Sequence, residues 1–175
     1  FENVGFIYPT APDVFKRCST SKQPFSLTNV NLKIPAGSTV LVMGPIGSGK
    51  STLANLLVRF FDPAKGRIMI DGVDIKHYPL GQLRRSIGFV PQDIFLFADS
   101  IRENILFGVT AQSQHDVTGP LRIVQMSEAI NQLPDKYESL LGERGVNLSG
   151  GQKQRLTMAR AIIKEPTILI LDDCF

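Results

Sequence analysis

Eight consecutive residues, Gly44-Pro45-Ile46-Gly47-Ser48-Gly49-Lys50-Ser51, combine three glycines, a lysine and a hydroxyl at the spacing G-x-x-x-x-G-K-[ST]. These residue types suit one task, holding a chain of phosphates. A triphosphate packs several negative charges into a small volume. Glycines let the backbone turn around it and aim N–H groups inward as an anion nest. A helix starting near Gly49 adds the positive end of its dipole. Lys50 then neutralises the β- and γ-phosphates, and the Ser51 hydroxyl ligates Mg2+. The expected nucleotide-binding set here is Gly44, Gly47, Ser48, Gly49, Lys50, Ser51 and Thr52. The bland alternative, a glycine turn before a helix that binds nothing, would have to fill all four motif positions by coincidence.

Two further stretches carry chemistry. Ile168-Leu169-Ile170-Leu171-Asp172 is an apolar strand ending in an acid. Such a strand puts its carboxylate at the carboxyl edge of a parallel sheet, where open α/β sheets bind ligands. Asp172 would hold Mg2+ there, directly or through water. Many buried strands end in Asp, so this signal gains weight only beside the phosphate loop. Leu148-Ser149-Gly150-Gly151-Gln152 precedes a helical run over residues 153–164. Ser149 offers a hydroxyl and Gly151 a backbone N–H at a helix N-terminus, again suited to phosphate. The bland reading is a helix N-cap followed by a flexible glycine pair.

The elements that must position these residues follow from periodicity. Residues 4–8 read as a strand stopped by Pro9, and residues 10–23 as a long polar loop. Residues 27–34 alternate and end in a Pro35-Ala36-Gly37 turn. Residues 39–43 are apolar and β-branched, the pattern of a buried parallel strand feeding the glycine loop. Leu53, Leu56, Leu57 and Phe60 make the apolar stripe of the helix after it, which Asp62-Pro63 breaks. Residues 67–70 and 73–75 flank Asp71-Gly72 as a hairpin, and residues 87–90 form a strand closed by Pro91. Residues 94–164 turn helical, with Ser100 and Glu103 at capping-box spacing.

Composition bounds the answer. The chain has 175 residues, 43% hydrophobic and 20% charged, which is normal for one globular domain and excludes a disordered chain, a collagen or a disulfide scaffold. No apolar run approaches the roughly 18 residues of a membrane span, and the start lacks the basic and apolar parts of a signal peptide. The net charge of +3 is mild and unclustered, so nothing asks for nucleic acid. Cys18 and Cys174 form no CxxC and read as reduced thiols of a cytosolic protein. His77 and His115 lack ligand spacing and read as surface residues.

The Leu-Ser-Gly-Gly-Gln run between a phosphate loop and an acid-ended strand closely resembles the signature of ATP-binding cassette (ABC) proteins. The resemblance covers essentially the whole chain, from Phe6 to Cys174. It implies that Ser149, Gly151 and Gln152 cap the γ-phosphate of an ATP held by a partner subunit, so two cassettes pair head to tail. It makes Gln92, after strand 87–90, the glutamine that contacts Mg2+ or its water and hinges the helical subdomain. Tyr8 matches the aromatic position that stacks on adenine, with plain packing as the alternative. The long loop after Tyr8 could alter how it sits. Gly142-Glu143-Arg144-Gly145 resembles the stretch by which exporters contact their transmembrane domain, with a solvated turn as the alternative. Residues 99–105 resemble the same exporter subtype.

Two departures stand out. The family usually has Glu after the metal-binding Asp, as general base or orienter of water; this chain has Asp173. That pattern occurs in heterodimeric exporters with one degenerate ATP site, and a slow homodimer is the other possibility. The resemblance also implies that the chain is about the first two-thirds of a cassette, without the switch histidine, and inactive alone. The expected fold is therefore α/β, a P-loop NTPase core (residues 1–91 and 166–175) with a mostly parallel sheet, an antiparallel β subdomain and an inserted helical subdomain (residues 92–165). The expected function is an ATP-binding and ATPase domain of an ABC exporter at the cytoplasmic face of a membrane. ATP and Mg2+ are the expected cofactors, with Lys50, Gln92 and Asp173 catalytic and Ser51, Gln92 and Asp172 on the metal. The expected partners are a second cassette and a transmembrane domain, contacted through the Gln92 region and Glu143 to Gly145. Rivals are a non-hydrolysing regulatory module and a soluble ABC ATPase acting on nucleic acid. The latter usually splits loop and signature by a long coiled coil, whereas Lys50 and Ser149 are 99 positions apart without heptads.

Overall fold

In a computed structural model of the chain, the described residues are 1–8, 26–109, 115–142, 145 and 147–173. The expected loop 10–23, both cysteines, Glu143 and Arg144 fall outside them. The chain divides into two compact units, Phe1–Leu83 and Arg84–Phe175.

The first unit is built on antiparallel ladders. In β1 (Glu2–Ile7), Val4 and Phe6 turn inward while Glu2, Asn3 and Ile7 stay exposed. This is the period-2 pattern of a half-buried strand. β1 lies between β2 (Ser26–Val30) and β3 (Lys65–Arg67), with Val4 opposite Val30 and Gly5 opposite Lys65. β2 stops at Val30, short of the expected Ile34, just after Asn29 takes a left-handed φ of 53°. β4 (Met69–Ile70) and β5 (Val73–Asp74) form the expected hairpin. Asp71 and Gly72 both take positive φ, 50° and 80°, as a two-residue turn matched to strand twist requires.

Helix α1 (Lys50–Leu57) follows the glycine loop and buries Thr52 and Leu56. It is shorter than its apolar stripe suggests. Arg59 turns left-handed (φ 53°), and the Phe60 N–H reaches back to Asn55 O at 2.9 Å. This reverse turn closes the helix before Asp62-Pro63 and leaves Phe60 half exposed.

Residues 39–43 correct a sequence expectation. They form no strand, and Leu41 and Met43 are 80% and 79% exposed. A buried parallel strand owes its order to ladder bonds from neighbours. Among its described residues the first unit offers only antiparallel ladders, already made among β1 to β5. An apolar sequence without a ladder partner has nothing to fix its backbone as a strand.

The second unit contains the one parallel pairing among the described residues. β6 (Ile87–Val90) and β7 (Ile168–Leu171) run side by side from Ile87 opposite Ile168 to Val90 opposite Leu171. Between them in sequence come α3 (Ile101–Leu106), α4 (Thr118–Ile123), α5 (Ser127–Asn131) and α6 (Gly150–Ile162). Helix α2 (Leu80–Ser86) precedes β6. Ser100 caps α3 as expected, its Oγ accepting the Glu103 N–H at 3.1 Å. One apolar core joins these helices through buried Ile101, Ile105, Leu121, Met126, Ile130 and Leu156. None of the described helices is long and apolar enough to cross a membrane.

Helix α6 is the hub of this unit, packing on α3, α4 and β6. Its approach to β6 depends on Gly88. A Cβ there would lie 2.8 Å from Pro166 Cγ and 3.1 Å from Ala161 O. The Gly88→Ala chain must push the end of α6 off the strand, and is expected to lose about 1–3 kcal/mol of stability. Urea unfolding of the two chains checks this; coincident midpoints would show that the contact yields freely.

Candidate functional site

The candidate residues fall into two sets, one in each unit. In the first unit, residues 44–48 are exposed, and Gly47 and Gly49 take φ of 80° and 96°. These left-handed values are open to glycine and strained for other residues. The Ser48 N–H folds back to Pro45 O at 3.1 Å. Gly49 is the N-cap of α1 and has no side chain to cap it, and the first turn holds no acid. The first amide of this end to bond in helical register is that of Leu53, to Gly49 O at 3.0 Å. The helix end therefore presents its dipole without a competing carboxylate.

Lys50 Nζ lies back across the loop, donating to Gly44 O at 2.8 Å and Pro45 O at 3.1 Å. Both partners are neutral carbonyls, so the ammonium stays next to the loop without a countercharge among these bonds. A phosphate oxygen would be a stronger acceptor for it. Tyr8 belongs to the same unit. Its hydroxyl shares a hydrogen bond with Thr52 Oγ1 at 3.1 Å, so it is tied to the helix that the loop feeds. Its ring meets Phe6 and Phe61 edge-on, with centroids 4.9 and 5.3 Å away. Tyr8 is thus both packed and adjacent to the loop's helix.

In the second unit, Gln92 and the acid pair follow the carboxyl ends of β6 and β7. The ladder continues one residue beyond β7, where the Asp172 N–H bonds Val90 O at 3.0 Å. One step on, Gln92 Nε2 donates to Asp173 Oδ2 at 3.1 Å. Asp173 takes a left-handed φ of 52°. So two residues 81 positions apart in sequence are joined by parallel pairing. In this unit Gln92 and Asp172 offer oxygen donors of the hard type that suits Mg2+, and in the first unit Ser51 offers another.

Ser149 caps α6 in a complete capping box. Its Oγ accepts the Gln152 N–H at 3.3 Å, and Gln152 Oε1 accepts the Ser149 N–H at 2.9 Å. The first helical bond runs from Lys153 N–H to Ser149 O at 3.0 Å. Among the described residues no acceptor takes the N–H groups of Gly150 and Gly151, and a Cβ on either would meet open space. The helix thus starts with two such donors on exposed residues that carry no side chain. Of the Gly142-Glu143-Arg144-Gly145 stretch, Gly145 is buried, and a Cβ on it would lie 3.0 Å from Leu96 Cδ1. His77 is exposed and His115 half-buried.

Sequence reading passes over Asn104 and Arg160. Asn104 is buried mid-helix, and its side chain bonds the Phe97 N–H at 2.8 Å and the Phe97 O at 3.0 Å. Arg160 reaches the same residue from α6, Nη2 to Asn104 Oδ1 at 2.9 Å. The available signal was an amide side chain inside the apolar spacing of Ile101, Ile105 and Leu106.

The sequence pattern of the family described as ABC transporter matches residues 27–175. YwjA, an uncharacterized ABC transporter ATP-binding protein of Bacillus subtilis, is 48% identical over 147 residues, 84% of this chain and 26% of that protein. ABC transporter B family member 15 of Arabidopsis thaliana is 47% identical over 99% of this chain and 13% of its own length. The solved structure of a bacterial Atm1-family ABC exporter with ATP bound matches with a TM-score of 0.83 and 40% identity, over 99% of this chain and 28% of that one. The chain thus spans about a quarter or less of the first two relatives. A phosphate loop, an acid-ended parallel strand and a serine-capped glycine helix stand here in one chain with that likeness along its length: the chain belongs to the ABC transporter family and has its α/β P-loop NTPase fold.

Proposed function

We propose that this chain binds ATP with Mg2+ through residues 44–51 and forms part of the ATP-hydrolysing machinery of an exporter. The observation that carries the reading is the loop itself. Two left-handed glycines lead into an uncapped helix end, with the Lys50 ammonium resting on loop carbonyls. The likeness to an exporter with ATP bound supports the same view. On this reading Lys50 trades two neutral acceptors for charged phosphate oxygens. Tyr8 borders the adenine, and Gly44, Gly47, Ser48, Gly49 and Thr52 complete the phosphate and base contacts. Ser51, Gln92 and Asp172 hold the metal. When bound, Mg2+ would offset phosphate charge.

Ser149, Gly151 and Gln152 act on the nucleotide of a second cassette. The N–H groups of Gly150 and Gly151 support that role. The Gln92 region and Glu143 to Gly145 contact a transmembrane domain, which puts the chain at the cytoplasmic face of a membrane. Asp173 holds or activates the attacking water, but its carboxylate is withdrawn by about 1.5 Å relative to Glu. Positioned acid–base groups contribute about 10²–10⁴-fold in rate, so this site turns over slowly. Pairing with a Glu-bearing subunit, in a heterodimer, fits that feature.

Three measurements on the full-length protein test the reading. Lys50→Ala removes the main charge on the phosphates and is expected to weaken ATP binding by about tenfold or more, roughly 1.4 kcal/mol. A nucleotide titration reads it, and equal affinities would show that the loop is not the site. Ser149→Arg puts a bulky cation before these two amides. It is expected to spare ATP affinity but abolish ATP-dependent association in sedimentation; normal association would exclude the head-to-tail arrangement. Asp173→Glu restores the reach of the carboxylate. Hydrolysis at this site, read from nucleotide trapped after a single turnover, should rise while affinity stays level. A wild-type site already as fast as the variant would make Asp173 a competent catalytic carboxylate and favour a homodimer.

A further inference from the structure

Arg160 lies in the last turn of α6 and is half-buried. Burial lowers its guanidinium to about 10, so it remains charged at neutral pH. Among the described residues no carboxylate forms an ion pair with it. Its donors go instead to neutral oxygens. Nε reaches Asn104 O at 2.7 Å, Nη1 reaches Phe95 O at 2.9 Å, and Nη2 reaches Asn104 Oδ1 at 2.9 Å. The guanidinium also sits 5.6 Å from the ring centres of both Phe97 and Phe107. A half-buried cation without a countercharge is costly to keep. What it supplies is geometry, because the guanidinium is a rigid planar fork whose directions are fixed together.

The fork grips one segment at two points. Asn104 relays the grip, bonding Phe97 at both its N–H and its O and Ser100 O at 3.0 Å. Between the grips Leu96 is buried against Gly145, four positions before Ser149. Phe95 is three residues after Gln92, which bonds Asp173. Asp173 and Gln92 are thus linked to Ser149 by one hydrogen bond, three residues of backbone to Phe95, the Arg160 fork and the length of α6.

We propose that Arg160 is a positioning residue for ATP hydrolysis, joining the segment after Gln92 to the helix headed by Ser149 so that both move as one body. Were Gln92 to leave Asp173 for a metal or nucleotide partner, the fork would carry the shift along α6 to Ser149. The role rests on the reading of Gln92 and Ser149 as nucleotide-facing groups. It needs the fork, so a lysine, with one nitrogen, cannot span Phe95 O, Asn104 O and Asn104 Oδ1 together.

The test uses the full-length protein as wild type, Arg160→Lys, Asn104→Ala, the double variant and Lys50→Ala. ATP affinity is read by titration, kcat and KM by steady-state hydrolysis, and folding by circular dichroism at the assay temperature. Arg160→Lys and Asn104→Ala are each expected to lower kcat by about tenfold or more, since small misplacements of reacting groups cost rates of this order. Their ATP affinity and KM should stay within about twofold of wild type. The double variant should be little worse than the poorer single one, as for two members of one network. Asn104→Ala carries the test alone if Arg160→Lys does not fold. An unchanged kcat in a folded variant overturns the proposal. So does a loss of kcat that only tracks lost ATP affinity or lost folded fraction, the mark of a purely structural role. The Lys50→Ala titration separates the two readings. Normal affinity there overturns both, whereas weakened affinity there with an unchanged kcat in Arg160→Lys overturns only the role of Arg160.

Discussion

The parallel pairing of β6 with β7 is the constraint on which the second unit rests. Parallel strands cannot be joined by a tight turn and need a crossover. Here nearly eighty residues separate Val90 from Ile168, and they hold α3, α4, α5 and α6. The register then decides which residues end up as neighbours. Val90 opposite Leu171 puts Gln92 within reach of Asp173, and the extra bond from Asp172 to Val90 O fixes the acid pair beyond the strand end. A slip of one residue would turn each β7 side chain to the opposite face. The edge that carries Gln92 and the acid pair is thus a consequence of register before it is a matter of side chains.

Helix α6 translates that register into the rest of the unit. Its C-terminal half packs on β6, where Val90 meets Ala161 and Gly88 leaves room for Pro166. Its middle enters the apolar core through Leu156 and Ala159. Its N-terminus carries Ser149 and the glycine pair. A 13-residue helix is about 20 Å long, so one rigid element links the strand pair to the signature. Arg160 fits that design: on a helix already fixed by the core, a half-buried fork has a firm base from which to hold a loop.

Local chemistry was legible in the sequence, and non-local pairing was not. The Ser100 and Ser149 caps, the glycine turn before α1 and the Asp71-Gly72 turn each depend on a few adjacent residues. The apolar runs over residues 87–90 and 168–171 were legible as strands, though their mutual pairing was not. The apolar run over residues 39–43 reads the same way, yet no ladder forms there, because a parallel strand is made by partners far away in sequence. Phe60 completes a helical stripe on paper, but a left-handed Arg59 ends the helix first. Arg160 carries no local signal within the helical run over residues 153–164. Only the fold brings Phe95 and Asn104 to it, from 65 and 56 positions away.

The proposed role of Ser149 adds a second task, presenting a group to a phosphate, to the capping of its own helix. The hydrogen-bond count shows that these do not compete. A serine hydroxyl has one donor and two acceptor lone pairs. The cap uses one lone pair, for the Gln152 N–H, which leaves the O–H donor for an anion. The Ser149 N–H is consumed by Gln152 Oε1, so the capping box withdraws two of the helix's loose donors. Those left, on Gly150 and Gly151, belong to residues with no side chain to obstruct them. The box also holds the helix end without placing a carboxylate there. An Asp cap or a Glu in place of Gln152 would satisfy the same amides but set a negative charge where the proposal places an anion. Serine and glutamine are the capping pair that fixes the helix end and keeps its field positive, and the two glycines leave that field open to a phosphate.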